Sequence, residues 1–400
     1  MPALAQRLAR VQVAASTTMT MRARELRAQG VDVVALTLGE PGFASPRPAI
    51  EAGYQAALRG ETKYPPQDGT PALKAAIQRK FRRDSGLEFG LDQISVGNGG
   101  KQCIYNALAA TLDPGDEVVI PVPSWNAYPL MTRLLDATPV FVPCPQNNGF
   151  KPRAEDIEAA ITPRSKWLIL NNPNNPSGAA CSADELAAIA AVMRRHPDVW
   201  IMSDDMYEHL VFDGFRHATM AAVAPDLADR TLTISGVSKT YAMTGWRIGF
   251  AAGPRALIRA MVNMQGQITA GVSSVGQAAA AAALDGPQEG VAEMVSAYQR
   301  RRDIAVEMLN AAPGLICHKP EGAFYVFPNV AGCLGRRSPA GREIDSDEAF
   351  ARALLEEAHV AIVPGVSYGM SPYIRVSTAA QESVLVEGCR RIAAFCERLR

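Results

Sequence analysis

From residue 93 onward, short apolar runs alternate with stretches whose apolar residues recur every three or four positions. Strands separated by helices leave this pattern. The expected strands are Gln93 to Val96, Glu117 to Ile120, Pro139 to Val142, Trp167 to Leu170, Val199 to Met202, Thr231 to Ile234 and Ile248 to Ala251. Several are apolar at consecutive positions, as strands must be when helices cover both faces of a sheet. Between them, helices are expected at Lys101 to Thr111, Ala183 to Arg195 and Ser273 to Leu284, the last with an alanine run that packs against a close neighbour. A long helix follows over Gly290 to Ala312, with YQRRRD on its solvent face. The chain then changes character: GAFYVF, a Gly/Arg-rich loop over Gly332 to Arg342, a helix Ser346 to Ala358, strands Val360 to Val363 and Tyr373 to Val376, and a closing helix Gln381 to Leu399. Met1 to Gly30 reads as a mobile arm followed by a helix, Thr20 to Ala28.

The fold class is therefore α/β: a large domain with a mostly parallel seven-stranded sheet between helices, plus a smaller α+β domain formed by the N-terminal segment and the C-terminal part. The expected divisions are residues 1–45 for the arm and part of the small domain, 46–290 for the large domain, and 291–400 for the rest of the small one. A length of 400 residues agrees with two cores rather than one.

Forty basic and forty acidic residues cancel, so no net field favours nucleic acid or an anionic membrane. Seven cysteines without a CxxC pair argue against a disulfide framework and against a zinc site, so no metal is expected. No stretch approaches 18 uninterrupted apolar residues, and the N-terminus lacks the apolar core of a secretory signal. A cytoplasmic location is the expectation.

Chemistry concentrates in a few segments. Lys239 follows the run Leu232 to Ile234, and Arg247 stands eight residues later. A lysine just past a buried strand is partly desolvated, which makes its neutral, nucleophilic amine accessible near neutral pH. Arg247, always charged, suits a phosphate or carboxylate. A phosphate-bearing aldehyde would use both, and pyridoxal 5'-phosphate is such an aldehyde. GNGGK (Gly97 to Lys101) lies between a strand and a helix, either a simple turn or a cradle of N–H groups for an anion. In SDDMYEHL, an acid at the end of a buried strand points into the crevice where open α/β sheets bind ligands, and it can hold a pyridine nitrogen protonated. Asp204 and Asp205 both qualify, and the spacing to Tyr207, which can donate to a phenolic oxygen, favours Asp204. NNPNNPSG (Asn171 to Gly178) is a turn by composition whose Asn175 amide could donate to a ring oxygen. Trp125 suits either a core or a planar ligand. Arg375, inside the apolar strand of SPYIRVS, needs a bidentate partner: a substrate carboxylate or a structural ion pair.

LGEPGFASP, KYPPQDGTPALKAAI, GGKQ, NNPSG, SDDMYEHL, SKTYAMTGWRIGF, GAFYVF and IRVST follow one another along nearly the whole chain. In order and spacing they resemble the fold type I, class I aminotransferases that use pyridoxal phosphate, closest to the bacterial aspartate/prephenate subgroup. The resemblance implies a ping-pong transfer of an amino group to a 2-oxo acid, with aspartate or glutamate favoured as donor. A prephenate, aromatic or broad-specificity enzyme, or a C–S/β-lyase on the same fold, is the alternative. It implies Lys239 as the Schiff-base and proton-shuttling lysine, Asp204 as partner of the pyridine nitrogen, and Tyr207 and Asn175 as partners of the phenolic oxygen. Gly99, Gly100, Lys101, Ser238 and Arg247 fall at phosphate-site positions, and Trp125 at that of the stacking aromatic. Arg375, with Gly39 and Asn175, matches the α-carboxylate site. Tyr64 matches a tyrosine that reaches the phosphate of a neighbouring subunit, which implies a homodimer with shared sites. The chain departs from the pattern at Gly236, where some members carry a phosphate-binding serine, at Ser124 where relatives often have tyrosine, and at Asp205 where many have glutamate. No arginine stands where animal-type enzymes receive the substrate side-chain carboxylate, and in the bacterial subgroup the lysine of GGK, here Lys101, takes that role.

Overall fold

The computed structural model describes residues 5–11 and 15–400. Parts of the expected N-terminal arm, residues 1–4 and 12–14, lie outside the described residues. Gln6–Arg10 forms a short 3-10 turn, and the first helix, α1 (Ala15–Ala28), begins five residues before the expected Thr20.

Twelve strands follow in the chain: β1 (Val34–Ala35), β2 (Ile94–Gly97), β3 (Glu117–Val122), β4 (Thr138–Pro143), β5 (Ser165–Asn171), β6 (Trp200–Asp204), β7 (Thr231–Gly236), β8 (Gly249–Ala252), β9 (Tyr325–Val326), β10 (Val360–Ala361), β11 (Val363–Pro364) and β12 (Ile374–Ser377). The large sheet has the order β2-β8-β7-β6-β5-β3-β4. Strands β4, β3, β5, β6 and β7 run parallel, and β8 opposes both of its neighbours. Each expected strand of this sheet forms within a few residues of its predicted span.

Alternation sorts the strand side chains into two layers. Val118, Ile120, Trp167, Ile169 and Met202 join one apolar cluster, whereas Val119, Leu168, Leu170 and Ile201 join another on the opposite face. The helix Ser182 caps, Ala183–Met193, carries Leu186, Ile189 and Ala190 into the second layer. At the antiparallel end, the alanine-rich helix Ser274–Asp285 packs against the helix Arg47–Leu58 where Gly53 faces Ala279.

A smaller α+β unit has its own core, in which Val34 and Leu36 from the N-terminal segment meet Leu309, Phe350, Leu354, Ile374, Val376 and Phe395. Strand β1 pairs in parallel with β10, while β11, β12 and β9 form an antiparallel sheet. The expected single strand Val360 to Val363 is thus two short ones in different sheets, with buried Ile362 between them.

The long helix Glu289–Ala311 corrects a second expectation. Tyr298 and Arg302, four residues apart on one face, are buried rather than solvent-facing. The Arg302 guanidinium donates to the Pro320 carbonyl at 2.8 Å, pairs with Asp213 at 2.9 Å and lies over the Phe212 ring. Acceptors supplied from other segments offset its desolvation, and a single helix pattern cannot display them.

A second buried charge braces the sheet from the helix Pro71–Ser85. Lys80 Nζ donates to Glu208 at 2.5 Å, and Ser235 Oγ on β7 donates to the other Glu208 oxygen at 2.5 Å. Asp84, Glu208 and His209 cluster closely, with the Lys80 ammonium 3.7 Å from Asp84 as their cation. Replacing Lys80 by Met leaves Glu208 buried without its cation, and should cost about 3–5 kcal/mol. Urea unfolding of Lys80→Met and of Lys80→Met/Glu208→Leu checks this: the double variant should recover most of the loss.

Candidate active site

Three parallel strands end side by side on one edge of the large sheet: β5 at Asn171, β6 at Asp204 and β7 at Gly236. Asn171 pairs in register with Asp204, and Asp204 with Ile234. Beyond this edge lies a cavity of about 650 Å³. Gly39, Gly99, Gly100, Lys101, Trp125, Asn175, Asp204, Tyr207, Ser238, Lys239, Arg247 and Arg375 all line it. Of the residues singled out from the sequence, Tyr64 lies elsewhere: it is 93% exposed on the surface.

Lys239 stands in the turn after β7, and its Nζ donates to the Gly39 carbonyl at 2.6 Å. Burial first, and then the Arg375 guanidinium, bring its ammonium pKa down to about 8. A neutral amine is therefore within reach near physiological pH. Glycine is required at position 39 because a Cβ there would collide with the Tyr325 hydroxyl.

Asp204 is buried, and the resulting desolvation raises its pKa to about 6 despite a hydrogen bond from Tyr128. The Tyr128 hydroxyl donates to Oδ2 at 2.5 Å, and the Met206 N–H donates to Oδ1 at 3.3 Å. Asp205 turns the other way: it accepts from Ser203 Oγ at 2.9 Å and lies 3.7 Å from His217 Nε2. The pleat separates the two acids, and Asp204 is the one that faces the cavity.

Another group of lining residues is suited to an anion. Gly99, at φ +81°, turns the chain into the helix Gly100–Ala109, whose first N–H groups are free of intrahelical acceptors. Arg247, at φ +59°, donates to the Thr244 carbonyl at 3.0 Å and the Asn98 carbonyl at 3.2 Å. A Cβ on Gly99 would sit 2.6 Å from Arg247 Nη2, so glycine is required for this approach. Gly236 is packed against β8, where a Cβ would meet the Ile248 carbonyl at 3.1 Å, whereas Ser238 lines the cavity.

Buried Arg375 donates through Nη1 to Asn175 Oδ1 at 3.0 Å and through Nη2 to the Thr37 carbonyl at 2.5 Å. Its Nε is buried and has no hydrogen-bond partner among the described residues. The guanidinium lies 4.5 Å from the Tyr325 ring centre and 5.1 Å from that of Tyr368. Tyr207 and Tyr325 share a hydroxyl hydrogen bond of 2.9 Å. Trp125 meets Tyr128 edge-on and carries the Lys101 ammonium 4.9 Å over its ring. Burial and then Arg247 lower the Lys101 pKa. Ser124 is buried below Trp125, its N–H bonded to the Tyr368 carbonyl at 2.9 Å. Sequence reasoning did not single out Tyr128 or Tyr325. Tyr325 stood in the quoted GAFYVF string, but Tyr128 left only its three-residue spacing from Trp125 as a signal.

Residues 31–392 match the family described as aminotransferase class I and II. The aspartate/prephenate aminotransferase of Cereibacter sphaeroides is 54% identical over 99% of both chains. The aspartate aminotransferase of Rhizobium meliloti is 50% identical over 99% of this chain and 96% of its own. A crystal structure of the Rhizobium meliloti aspartate aminotransferase superposes with a TM-score of 0.98 at 49% identity, covering all of both chains. That of Thermus thermophilus with maleate gives 0.91 at 39% identity, covering 99% of this chain and 100% of its own. The chain belongs to the class I and II aminotransferases.

It is a pyridoxal-phosphate-dependent aminotransferase. The cavity fits that cofactor on its own terms. Among the described residues, Asp204 has no cation within ion-pair distance, and a protonated pyridine nitrogen is the partner its burial calls for. Gly99, the start of the Gly100–Ala109 helix and Arg247 form a cradle for a phosphate. In the cofactor-free aminotransferase, acylation of Lys239 should rise with pH up to about 8 and then level off, as its depressed pKa requires. Exposed lysines should keep gaining reactivity toward their ordinary value near 10.4. Peptide mass spectrometry after brief acylation across pH 6–11 reads both.

Proposed function

We propose that this aminotransferase moves an amino group from aspartate or glutamate to a 2-oxo acid, with prephenate as a further acceptor. The lysine, acid and arginine gathered at one cavity carry this reading. The word prephenate in the name of the Cereibacter relative, together with its 54% identity, favours the added acceptor.

When bound, pyridoxal phosphate supplies an aldehyde that exchanges amino groups and a ring that draws electrons from the substrate α-carbon. The residues divide the remaining work. Lys239 Nζ takes the proton from the α-carbon and returns it on the cofactor side, a general acid/base role worth roughly 10² to 10⁴ in rate. Asp204 keeps a proton on the pyridine nitrogen. Tyr207 and Asn175 donate toward the phenolic oxygen, and Trp125 covers the ring. Gly99, Gly100, Ser238 and Arg247 hold the phosphate, with Tyr64 added from a second subunit. Arg375, which lines the cavity, takes the α-carboxylate in a forked pair. Lys101 receives the second carboxylate of the donor.

A cytoplasmic homodimer is part of the proposal. All seven cysteines are free and buried, in keeping with a reducing compartment. Among the described residues no helix is long and apolar enough to cross a membrane. Tyr64, with exposed Tyr54 and Leu58 in the preceding helix, supports a covered face. The chain divides at about residues 46 and 290, with 46–290 holding the cofactor and 1–45 with 291–400 forming the smaller domain, as the separate apolar clusters suggest.

A donor panel with 2-oxoglutarate as acceptor tests the substrate reading. Lys101→Ala should lower kcat/KM for aspartate roughly 10- to 100-fold, the loss of one charge-assisted contact. Equal turnover of aspartate by both proteins would remove Lys101 from the side-chain site. Sedimentation equilibrium should give a mass near 85.6 kDa, twice the 42.8 kDa of one chain. A monomer that is fully active would contradict the shared site.

A further inference from the structure

Helix α1 contributes Thr20, Met21 and exposed Arg24 to the lining of the cavity. Positions 20 and 24 are one turn apart, so both side chains belong to one face. The face behind is fixed: Ala23 and Leu26 are buried with Val33, Leu355 and Ala361 of the smaller unit. The helix is also joined to the arginine of the α-carboxylate position. Thr20 Oγ1 lies 3.1 Å from Thr37 Oγ1, and the Thr37 carbonyl accepts from Arg375.

Arg24 differs from the other two arginines of this helix. Arg22 pairs with Glu25 at 3.1 Å, and Arg27 donates to the Val33 carbonyl. Arg24 has no hydrogen bond or ion pair among the described residues, yet it lines the cavity. The charges around that cavity show what it lacks. Arg24, Lys101, Lys239, Arg247 and Arg375 are basic, against Asp204 and Glu40, and Glu40 already accepts from Thr244 Oγ1 at 2.6 Å. A phosphate answers Arg247 and an α-carboxylate answers Arg375, which leaves Lys101 on the sheet side and Arg24 on the helix side without an anion. A substrate carrying only one carboxylate brings nothing to either. Two cations lining one site without an anion select ligands with a further negative charge.

We infer that Arg24 is a specificity-determining residue that binds the second carboxylate of dicarboxylic substrates from the α1 side of the cavity. The inference rests on the reading of the cavity as a dicarboxylate aminotransferase site. Lys101 and Arg24 both contact that carboxylate, so a loss at either position falls on dicarboxylates and spares monocarboxylates.

The test uses the holoenzyme, with succinate as an unreactive dicarboxylate and propionate as its one-carboxylate counterpart. Binding is followed by the change in cofactor absorbance, alongside KM for 2-oxoglutarate and for phenylpyruvate. Arg24→Gln should weaken succinate and raise KM for 2-oxoglutarate by about tenfold. Propionate affinity and the phenylpyruvate KM should move less than twofold. Arg24→Lys should restore most of the succinate affinity, and Arg22→Gln, on the same helix, should change neither ligand. Succinate binding that is unaffected by Arg24→Gln, in an enzyme that does turn over dicarboxylic donors, overturns the role of Arg24 alone. Equal weakening of succinate and propionate also overturns it, since that marks a displaced helix. A wild-type enzyme that transaminates monocarboxylic donors but no dicarboxylic one overturns both this inference and the substrate reading beneath it.

Discussion

Asp204 is a carboxylate at the end of a buried strand, with a hydroxyl and one N–H for company and, among the described residues, no cation at ion-pair distance. Isolated in this way, a charge is among the most costly things a fold can bury, and its pKa near 6 records that cost. The layered sheet makes the position possible. Strands β5, β6 and β7 leave their two apolar layers at the same edge, and the next side chains must face a crevice rather than a helix. Tyr128 steadies the acid from the helix beyond β3. What the protein leaves unsupplied is a buried positive charge, and a protonated pyridine ring brings one.

Lys239 shows the same economy with the sign reversed. Its amine is held by a carbonyl rather than a carboxylate, in the field of Arg375 and Arg247, so the neutral form is favoured. Had Glu40 paired with Lys239 directly, the ammonium would have been stabilised and the nucleophile lost. Glu40 instead accepts from Thr244. Two groups with displaced pKa values thus share one cavity, the acid raised and the amine lowered, and both are poised within about a unit of neutral pH.

Much of this was legible in the chain because it is local. Seven apolar runs became seven strands, and Asp204, Lys239 and Arg247 each stand within a few residues of a strand end, where position along the sequence determines position in the crevice. The distinction between Asp204 and Asp205 was also local, since neighbouring residues in a pleat face opposite ways. The misses share a different cause. Arg302 reads as a solvent residue until Asp213 and the Pro320 carbonyl are brought to it from other segments. Tyr128 and Tyr325 matter through partners 76 and 118 residues away. Tyr64 is exposed on the surface, so contacts within one chain give it no role.

Those distant contacts also explain how the two units line one cavity. Tyr207, from the turn after β6, bonds to Tyr325 on β9, and the Tyr325 ring lies against Arg375 on β12. Arg375 in turn donates to Thr37, which meets Thr20 of α1. The chain of contacts therefore begins at the strand-end edge of the large sheet and ends on helix α1, which also lines the cavity. The guanidinium at its centre donates to Asn175 and to the Thr37 carbonyl and lies against the Tyr325 ring, so the two units meet on one charged side chain. The arginine proposed for the α-carboxylate is thus structurally joined, through Thr37, to the helix proposed to meet the substrate's second carboxylate.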